Sequence, residues 1–315
     1  MKGSVHCPFF IGFLAVALMG CASKNTPQTQ LIRQTSEYRQ MMDRQKAAAD
    51  EEAFKKVPPL TAEGYEKLGD QYFLKGKADV AFKNYYEALR LEPDQIRVRY
   101  KIGRLFLEKG LLDEAEKEFQ GVLEKNPDYA LAQEGFGRVY FARNKPSEAE
   151  QSFAKATQLD SSLWQAHNFL GIIYDRQKEF RKALSHYQKA IAIQPHVGIL
   201  YNNLGMSLFL QGEYEASLQA LIEGTKLEPN NKKINNNLGL VLCKMGRFQE
   251  AFETFKRSGN EASAYYNIGC VYMIEKKYKE AIQAYQKAID CKPEFYVEAY
   301  EKLNKAKAAL ATSTL

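Results

Sequence analysis

Residues 164–195, WQAHNFLGIIYDRQKEFRKALSHYQKAIAIQP, hold the pattern from which the fold follows. Gly171 is followed by Tyr174 after three positions, by Ala183 after twelve and by Tyr187 after sixteen. A glycine inside a helix costs roughly 0.5–1 kcal/mol relative to alanine. We therefore expect Gly171 to mark a point where two helix backbones come close together.

This glycine recurs along the chain with a period of 34 residues, and only the last step, of 30 residues, is shorter. The series is Gly69, Gly103, Gly137, Gly171, Gly205, Gly239 and Gly269. The small residues twelve positions later are Ala81, Ala115, Ala149, Ala183, Ser217, Ala251 and Ala281. One helix pair of this length cannot bury its apolar face alone, so copies must stack. The sequence predicts an all-α solenoid of about seven helix–turn–helix repeats.

The period and its markers resemble the tetratricopeptide repeat (TPR) over about residues 62–295. Each repeat then has a first helix, helix A, and a second, helix B. We expect the aromatic residues that follow the glycines to lie in the core. They are Tyr72, Phe106, Tyr140 and Tyr174 on the A helices, and Tyr85, Phe119, Phe153 and Tyr187 on the B helices. The sixth repeat is four residues short, which predicts either a joint between two sub-stacks or a tolerated deletion.

Four segments follow from this interpretation. Residues 1–20 predict a secretory signal peptide, because a short apolar run follows Lys2. Residues 21–60 predict a lipidated N-terminus and a partly helical linker, and residues 61–295 the repeat array. Residues 296–315 predict a capping helix and tail, with Ala299, Tyr300 and Leu303 on its apolar side.

The end of the signal peptide, Leu18-Met19-Gly20-Cys21, resembles the lipobox of bacterial lipoproteins. The resemblance implies that Cys21 becomes the lipid-modified first residue of the mature protein. Ala22 follows in place of the Asp that retains many lipoproteins in the inner membrane. The implied location is the bacterial envelope, at the outer membrane and facing the periplasm. The alternative is a plain signal peptide or a signal anchor with an incidental cysteine.

Composition and single residues exclude several classes of function. The chain carries 44 Lys and Arg against 38 Asp and Glu, mixed along the helices, so nucleic-acid binding is not supported. The histidines His167 and His186 are expected at ordinary surface or packing positions, and no metal site or cofactor is predicted. No nucleophile is paired with a base, so the protein is not predicted to be an enzyme. Cys243, Cys270 and Cys291 are expected to be small buried residues, with a Cys243–Cys270 disulfide as the alternative.

TPR proteins bind their partners along helix A, and the resemblance assigns repeat positions 2, 5, 6, 9, 12 and 13 to that surface. In repeats four to seven these positions hold a row of asparagines: Asn168, Asn202, Asn203, Asn236, Asn237 and Asn267. Apolar candidates for partner pockets lie beside them: Phe169, Met206, Phe209, Leu240 and Tyr266. Asparagine is disfavoured inside helices, and its amide both donates and accepts hydrogen bonds. The row therefore predicts a surface that binds a peptide backbone. The alternatives are solvent-facing amides, amides bonded to neighbouring helices, and apolar contacts between A helices.

Repeats one to three look different, because charged residues take the same positions. Arg104 and Arg138 are 34 residues apart and predict a site for an anion or carboxylate.

The whole sequence predicts a lipid-anchored TPR scaffold that binds a peptide or a segment of a partner protein. A lipobox joined to a TPR array resembles the lipoproteins that help assemble type IV and tight-adherence pili. That resemblance implies a pilus component or an outer-membrane secretin as the partner. The alternatives are an adaptor for cell-wall (murein) enzymes and an enzyme or enzyme subunit.

Overall fold

The computed structural model describes residues 60–291 and 297–313, and every regular element in these ranges is an α-helix. The predicted signal peptide, Cys21 and nearly all of the linker lie outside them. The described residues fall into two compact units that divide after Ser161, which we call the first unit (60–161) and the second unit (162–313). The shortened sixth repeat lies inside the second unit, and the division falls between repeats three and four.

Each repeat is one pair of helices. The first unit holds α1 (Ala62–Leu74), α2 (Ala78–Leu91), α3 (Ile96–Glu108), α4 (Leu112–Lys125), α5 (Ala130–Ala142) and α6 (Pro146–Leu159). The second unit holds α7 (Trp164–Arg176), α8 (Phe180–Ile193), α9 (Gly198–Leu210), α10 (Tyr214–Leu227), α11 (Lys232–Lys244), α12 (Phe248–Ser258), α13 (Glu261–Ile274), α14 (Tyr278–Cys291) and α15 (Val297–Ser313). Within a unit each helix contacts the next, and each A helix also contacts the A helix of the next repeat. This arrangement confirms the all-α prediction.

The periodic glycines make room for a ring from helix B rather than for a second backbone. A Cβ atom added to Gly103 would lie 2.7 Å from the ring of Phe119, and one added to Gly171 would lie 2.6 Å from Tyr187. In six of the seven repeats, the aromatic ring sixteen residues after the glycine fills the space that a glycine side chain leaves empty. The rings of Tyr85, Phe119, Phe153, Tyr187, Phe255 and Tyr285 are fully or almost fully buried. We call each such gap a glycine notch; it fixes how helix B lies on helix A.

Repeat five is the exception, and there the expected backbone approach does occur. Leu221 takes the place of the ring, and Ser217 donates a hydrogen bond of 2.7 Å to the carbonyl of Gly205 on helix A. Near the other end of the pair, a Cβ on Gly224 would lie 3.0 Å from the carbonyl oxygen of Gly198. The smaller side chains of this repeat thus draw its two backbones together.

A second periodic position turns the chain from helix A into helix B. The residue two places after α1 is Gly76, whose φ of 70° lies in the left-handed region. The equivalents in the other repeats also have positive φ: Gly110, Asn144, Lys178, Gly212, Gly246 and Lys276. The next amide closes the turn, as when Lys77 donates to the Tyr72 carbonyl at 2.9 Å. Because glycine holds only four of the seven positions, the glycine pattern alone did not reveal this turn.

The short repeat six ends in a compact corner. Its helix α12 has 11 residues, where the other B helices have 14. Gly259 follows, and Asn260 then caps α13 in a reciprocal pair of bonds with Ser263, each 2.8 Å long. The new cap lets α13 begin directly after the deletion.

The remaining features of the second unit correct two expectations. In α15, Ala299 and Leu303 are buried as predicted, but Tyr300 is exposed, because only one narrow side of this last helix is covered. Cys243, Cys270 and Cys291 are free thiols, and Cys291 is exposed rather than buried because it ends α14. Among the described helices, none combines the length and the apolar character that a membrane span would need.

The glycine notch predicts opposite effects for two glycines of the same repeat. Gly103→Ala should reduce the free energy of unfolding by about 1–3 kcal/mol, because the new methyl overlaps Phe119. Gly121→Ala in α4 should be neutral or stabilise by up to about 1 kcal/mol, because the nearest obstacle is the flexible side chain of Arg99 at 3.2 Å. Urea denaturation followed by circular dichroism measures both. Equal effects of the two substitutions would contradict the notch.

Candidate functional site

The asparagines of the second unit form a hydrogen-bonded chain across three A helices. Asn203 on α9 donates to Asn168 on α7 at 2.8 Å, and Asn202 donates to Asn203 at 3.1 Å. Asn237 on α11 donates to Asn202 at 2.7 Å. We call these four residues the amide row. Its bonds all run in one direction, from repeat six towards repeat four.

The amide row follows a rule of register. Each bond between helices joins residues 35 positions apart, which is one more than the repeat length. The donor is therefore the asparagine at repeat position 6, and the acceptor is the one at position 5 of the preceding repeat. The bond from Asn202 to Asn203, at positions 5 and 6 of repeat five, then connects the two bonds between helices. The sequence places amides at these positions, but it does not say which of them bond to one another.

The same rule explains both ends of the amide row. In repeat four, position 6 is Phe169, which has no amide to continue the chain. In repeat six, the side chain of Asn236 accepts a hydrogen bond of 2.8 Å from Ser258, at the end of the shortened α12. Ser258 occupies the position that Ala190 and Gly224 hold in repeats four and five, so this bond is particular to repeat six. Asn267 on α13 is buried.

Burial separates the candidate residues into two groups. Asn202 is 1 % exposed and Asn237 is 8 % exposed, while Asn168 and Asn203 are half-buried. Met206 and Leu240, at 6 % and 5 %, belong to the hydrophobic core of the unit, where A helices pack together. This corrects the expectation that both line open pockets. The candidates that keep accessible surface are Asn168, Asn203, Asn236, Phe169, Phe209 and Tyr266.

Two of the accessible rings rest on other rings of the same unit. Phe209 packs against Tyr214 with ring centroids 5.6 Å apart, and Tyr266 packs against Tyr285 at 5.8 Å. One side of each ring is therefore supported by the fold. A supported aromatic face is a suitable contact for an apolar side chain of a partner.

A buried carboxylate fastens the helices that carry the row. Asp175 on α7 accepts hydrogen bonds from Tyr187 on α8 at 2.8 Å and from Ser207 on α9 at 2.7 Å. Burial raises the pKa of Asp175, although the two hydroxyl donors favour its charged form. The group ties repeats four and five together close to Asn168 and Asn203 in sequence.

The identity of the ring in the notch offers a signal that sequence reasoning missed. Where the ring is tyrosine, its hydroxyl meets a polar atom of helix A. Tyr85 donates to Asp70 at 2.8 Å, Tyr187 to Asp175, and Tyr285 to the sulfur of Cys270 at 3.5 Å. A tyrosine rather than a phenylalanine sixteen residues after the glycine thus indicates a polar partner on helix A.

The A helices of the first unit carry charges that largely satisfy one another. Lys101 lies 2.6 Å from both Glu66 and Asp70, and Arg97 also contacts Glu66. Burial would raise the pKa of Glu66, but the bonds from Arg97 and Lys101 outweigh it and lower the pKa. This network is internal to the first unit.

The arginine pair predicted as an anion site faces a carboxylate of the chain itself. Arg104 lies over the ring of Phe73 at 4.3 Å and close to Glu108. Burial raises the pKa of Glu134, and the charges of Arg138 and Arg104 counteract the shift. The carboxyl group of Glu134 thus lies close enough to both arginines to compete with an external anion.

His167 and His186 lie at packing positions, as expected, and their side chains meet. The Nδ1 atoms of His167 and His186 lie 3.0 Å apart. Within the described part of the chain, no group of three or more His, Cys, Asp or Glu side chains is placed to hold a metal ion.

Comparison with family models gives matches along most of both units. Models described as tetratricopeptide repeat match residues 164–197 and 262–295, and residues 100–163. A model described as TPR repeat matches residues 69–110 and 205–246. The matched ranges omit 247–261, which contains the shortened α12. No curated protein sequence matches the chain.

Solved structures of similar fold extend this result. PilW, described as a widely conserved type IV pilus biogenesis factor, aligns with a TM-score of 0.57 at 19% identity, covering 62% of this chain and 91% of PilW. PilF of Pseudomonas aeruginosa aligns with a TM-score of 0.53 at 16% identity, covering 68% and 96%. A thermophilic TPR protein of Thermus thermophilus aligns at 0.50 and 18% identity, covering 58% and 100%. At these identities the likeness is one of fold.

The buried carboxylate predicts a pH dependence of stability. Because the folded pKa of Asp175 is raised, the folded state holds its proton more tightly than the unfolded state. The contribution of Asp175 to the free energy of unfolding is therefore complete below its ordinary pKa of about 3.9. This contribution is lost as the pH rises through the pKa of Asp175 in the folded state. Asp175→Asn should remove this loss, so the variant should gain stability relative to wild type between about pH 4 and pH 7.

Thermal unfolding across this pH range measures the effect. Asp290→Asn removes an exposed carboxylate of α14 and serves as the control for a change of one charge. If the stability of Asp175→Asn relative to wild type is the same at every pH, Asp175 does not carry the effect.

Proposed function

The chain belongs to the tetratricopeptide-repeat family of protein-interaction scaffolds, and we propose that it binds an extended segment of a partner protein across the A helices of its second unit. The proposal includes a lipid anchor at Cys21 and a place in the bacterial envelope, at the outer membrane. The amide row is the observation that carries the proposed binding of a partner.

The amide row supports binding because it fixes accessible amides in a set orientation. Asn203 is half-buried, and its carbonyl and amino groups are held by Asn202 and Asn168. Asn202 is in turn held by Asn237 from the next repeat. An amide has two donor hydrogens and two acceptor lone pairs, so each group keeps capacity for a further bond. Side chains that are already ordered lose less conformational entropy when a partner binds.

The surroundings of the amide row suit a segment with both backbone and apolar contacts. Phe169 directly follows Asn168, and Phe209 lies six residues after Asn203 on the same helix. Both rings retain accessible surface. Backbone amides of the partner would bond to the row, and its apolar side chains would cover the rings.

The proposed anchor and pathway rest on other observations. Cys21 stands at the end of a sequence that resembles a lipobox, and several acyl chains together would hold the protein at a membrane stably. PilW, described as a type IV pilus biogenesis factor, has the same fold, which agrees with a role in assembling a pilus or secretion apparatus. A secretin or a pilus subunit is then the expected partner.

Site-specific photocrosslinking in cells tests the binding surface. Benzoylphenylalanine at Phe169 should capture the partner, and the same group at Gln219, exposed on the helix B of repeat five, should not. Asn203→Ala should reduce the yield from position 169 by about 2- to 12-fold, the value of one lost hydrogen bond. Asn304→Ala, exposed on α15, is the matched control.

The identity of the captured protein decides between pathways. A secretin or pilus subunit supports the pilus proposal, and a murein enzyme supports the role of a cell-wall adaptor. Equal capture from positions 169 and 219 would rule out the amide row as the binding surface. The thermal melt of Asn203→Ala shows whether its effect arises from loss of fold.

The anchor is tested separately. Cys21→Ser should move the protein from the membrane fraction to the soluble fraction after cell lysis, because no acyl chains can be attached. Metabolic labelling with a palmitate analogue should mark the wild type and not the variant. Undiminished sedimentation of the variant with membranes would contradict lipidation at Cys21.

A further inference from the structure

The two histidines of repeat four face each other from helix A and helix B. His167 and His186 are 19 residues apart, and the equivalent pair in repeat two is Arg99 and Glu118, which form a salt bridge of 3.0 Å. In repeats five and seven the same offset pairs Tyr201 with Ala220 and Tyr265 with Ala284. In these two repeats an aromatic residue and an alanine fill the space between the helices. Repeat four has two imidazole rings there instead, which are polar.

The two imidazoles present nitrogen to nitrogen and are held in place. Their Nδ1 atoms are 3.0 Å apart, and the ring centroids are 5.2 Å apart. Tyr174 stacks on His186 at 5.4 Å. His167 is 5 % exposed, while His186 is half-buried, so solvent reaches the pair from the side of α8.

We propose that His167 and His186 bind a divalent first-row metal ion, such as Zn²⁺, through their Nδ1 atoms. Zinc–nitrogen bonds are about 2.0–2.1 Å long, so two nitrogens of a tetrahedral site are about 3.3 Å apart, and those of a square-planar copper site about 2.9 Å. The observed separation lies between these values. Small rotations of the two rings would therefore admit the ion.

The hydrogen bond between the two rings contains the one proton that a metal ion has to displace. In the metal-free state one Nδ1–H donates to the other Nδ1. On binding, that proton leaves Nδ1 and the Nε2 of the same ring takes one up through solvent, so the proton count of the protein is unchanged.

The site is expected to be labile. The described residues hold no third ligand of the usual kinds beside the pair, so water would complete the coordination. The ammonium group of Lys189 on α8 adds positive charge nearby. Both features weaken binding, and the second can be tuned by mutation.

Titration of the purified full-length protein with Zn²⁺ in a calorimeter tests the proposal. His186→Ala should weaken the histidine-dependent site by more than about tenfold, since even changes outside the ligand shell cost about 10–100-fold. His196→Ala, which removes an exposed histidine of the same repeat, should leave binding unchanged. Lys189→Gln should tighten it by removing a positive charge.

A second variant keeps the test independent of folding. The double substitution His167→Tyr with His186→Ala copies the pairs of repeats five and seven, so it should fold and lose the site. Equal uptake of Zn²⁺ by this variant and the wild type would overturn the proposal, and the pair would then be only a hydrogen bond. Loss of uptake in it, with uptake retained in His196→Ala, supports the site.

Discussion

The ring of helix B inside the glycine notch of helix A is the contact on which every other feature of this protein depends. It fixes the angle and the rotation of each helix pair, and so decides which positions of helix A stay uncovered. Where the ring is missing, in repeat five, the chain replaces it with Leu221, a serine bond and two facing glycines. Repeat five therefore shows that the constraint is on the distance between helix A and helix B. More than one set of side chains can satisfy it.

Most of the fold was readable from the sequence because its signals are local and repeated seven times. The number of repeats and the pairing of each glycine with a small residue twelve positions later follow from spacing alone. The reason given for the glycines was wrong in six repeats, since the neighbour of Gly171 is the ring of Tyr187 and not a backbone. Spacing indicates that room is needed, but it does not say which atoms fill it.

The site was less predictable because it depends on pairs of side chains. The sequence placed asparagines on helix A, yet burial separates Asn202 and Asn237 from Asn168 and Asn203, and hydrogen bonds then link all four. Met206 and Leu240 fall on the expected face but lie in the core, because adjacent A helices cover them. His167 and His186 lie on two different helices and are 19 residues apart. Arg99 and Glu118 have the same separation and also contact each other, and only this second pair shows that the separation brings side chains together.

The one-residue stagger of the amide row has an evolutionary consequence. Because each bond between helices joins position 6 of one repeat to position 5 of the repeat before, a copy of repeat five inserted beside it would extend the row by two amides, and every bond would form between the same pair of positions as before. In repeat six, Asn236 instead accepts a hydrogen bond from Ser258. The reach of this surface along a partner can therefore lengthen by whole-repeat duplication.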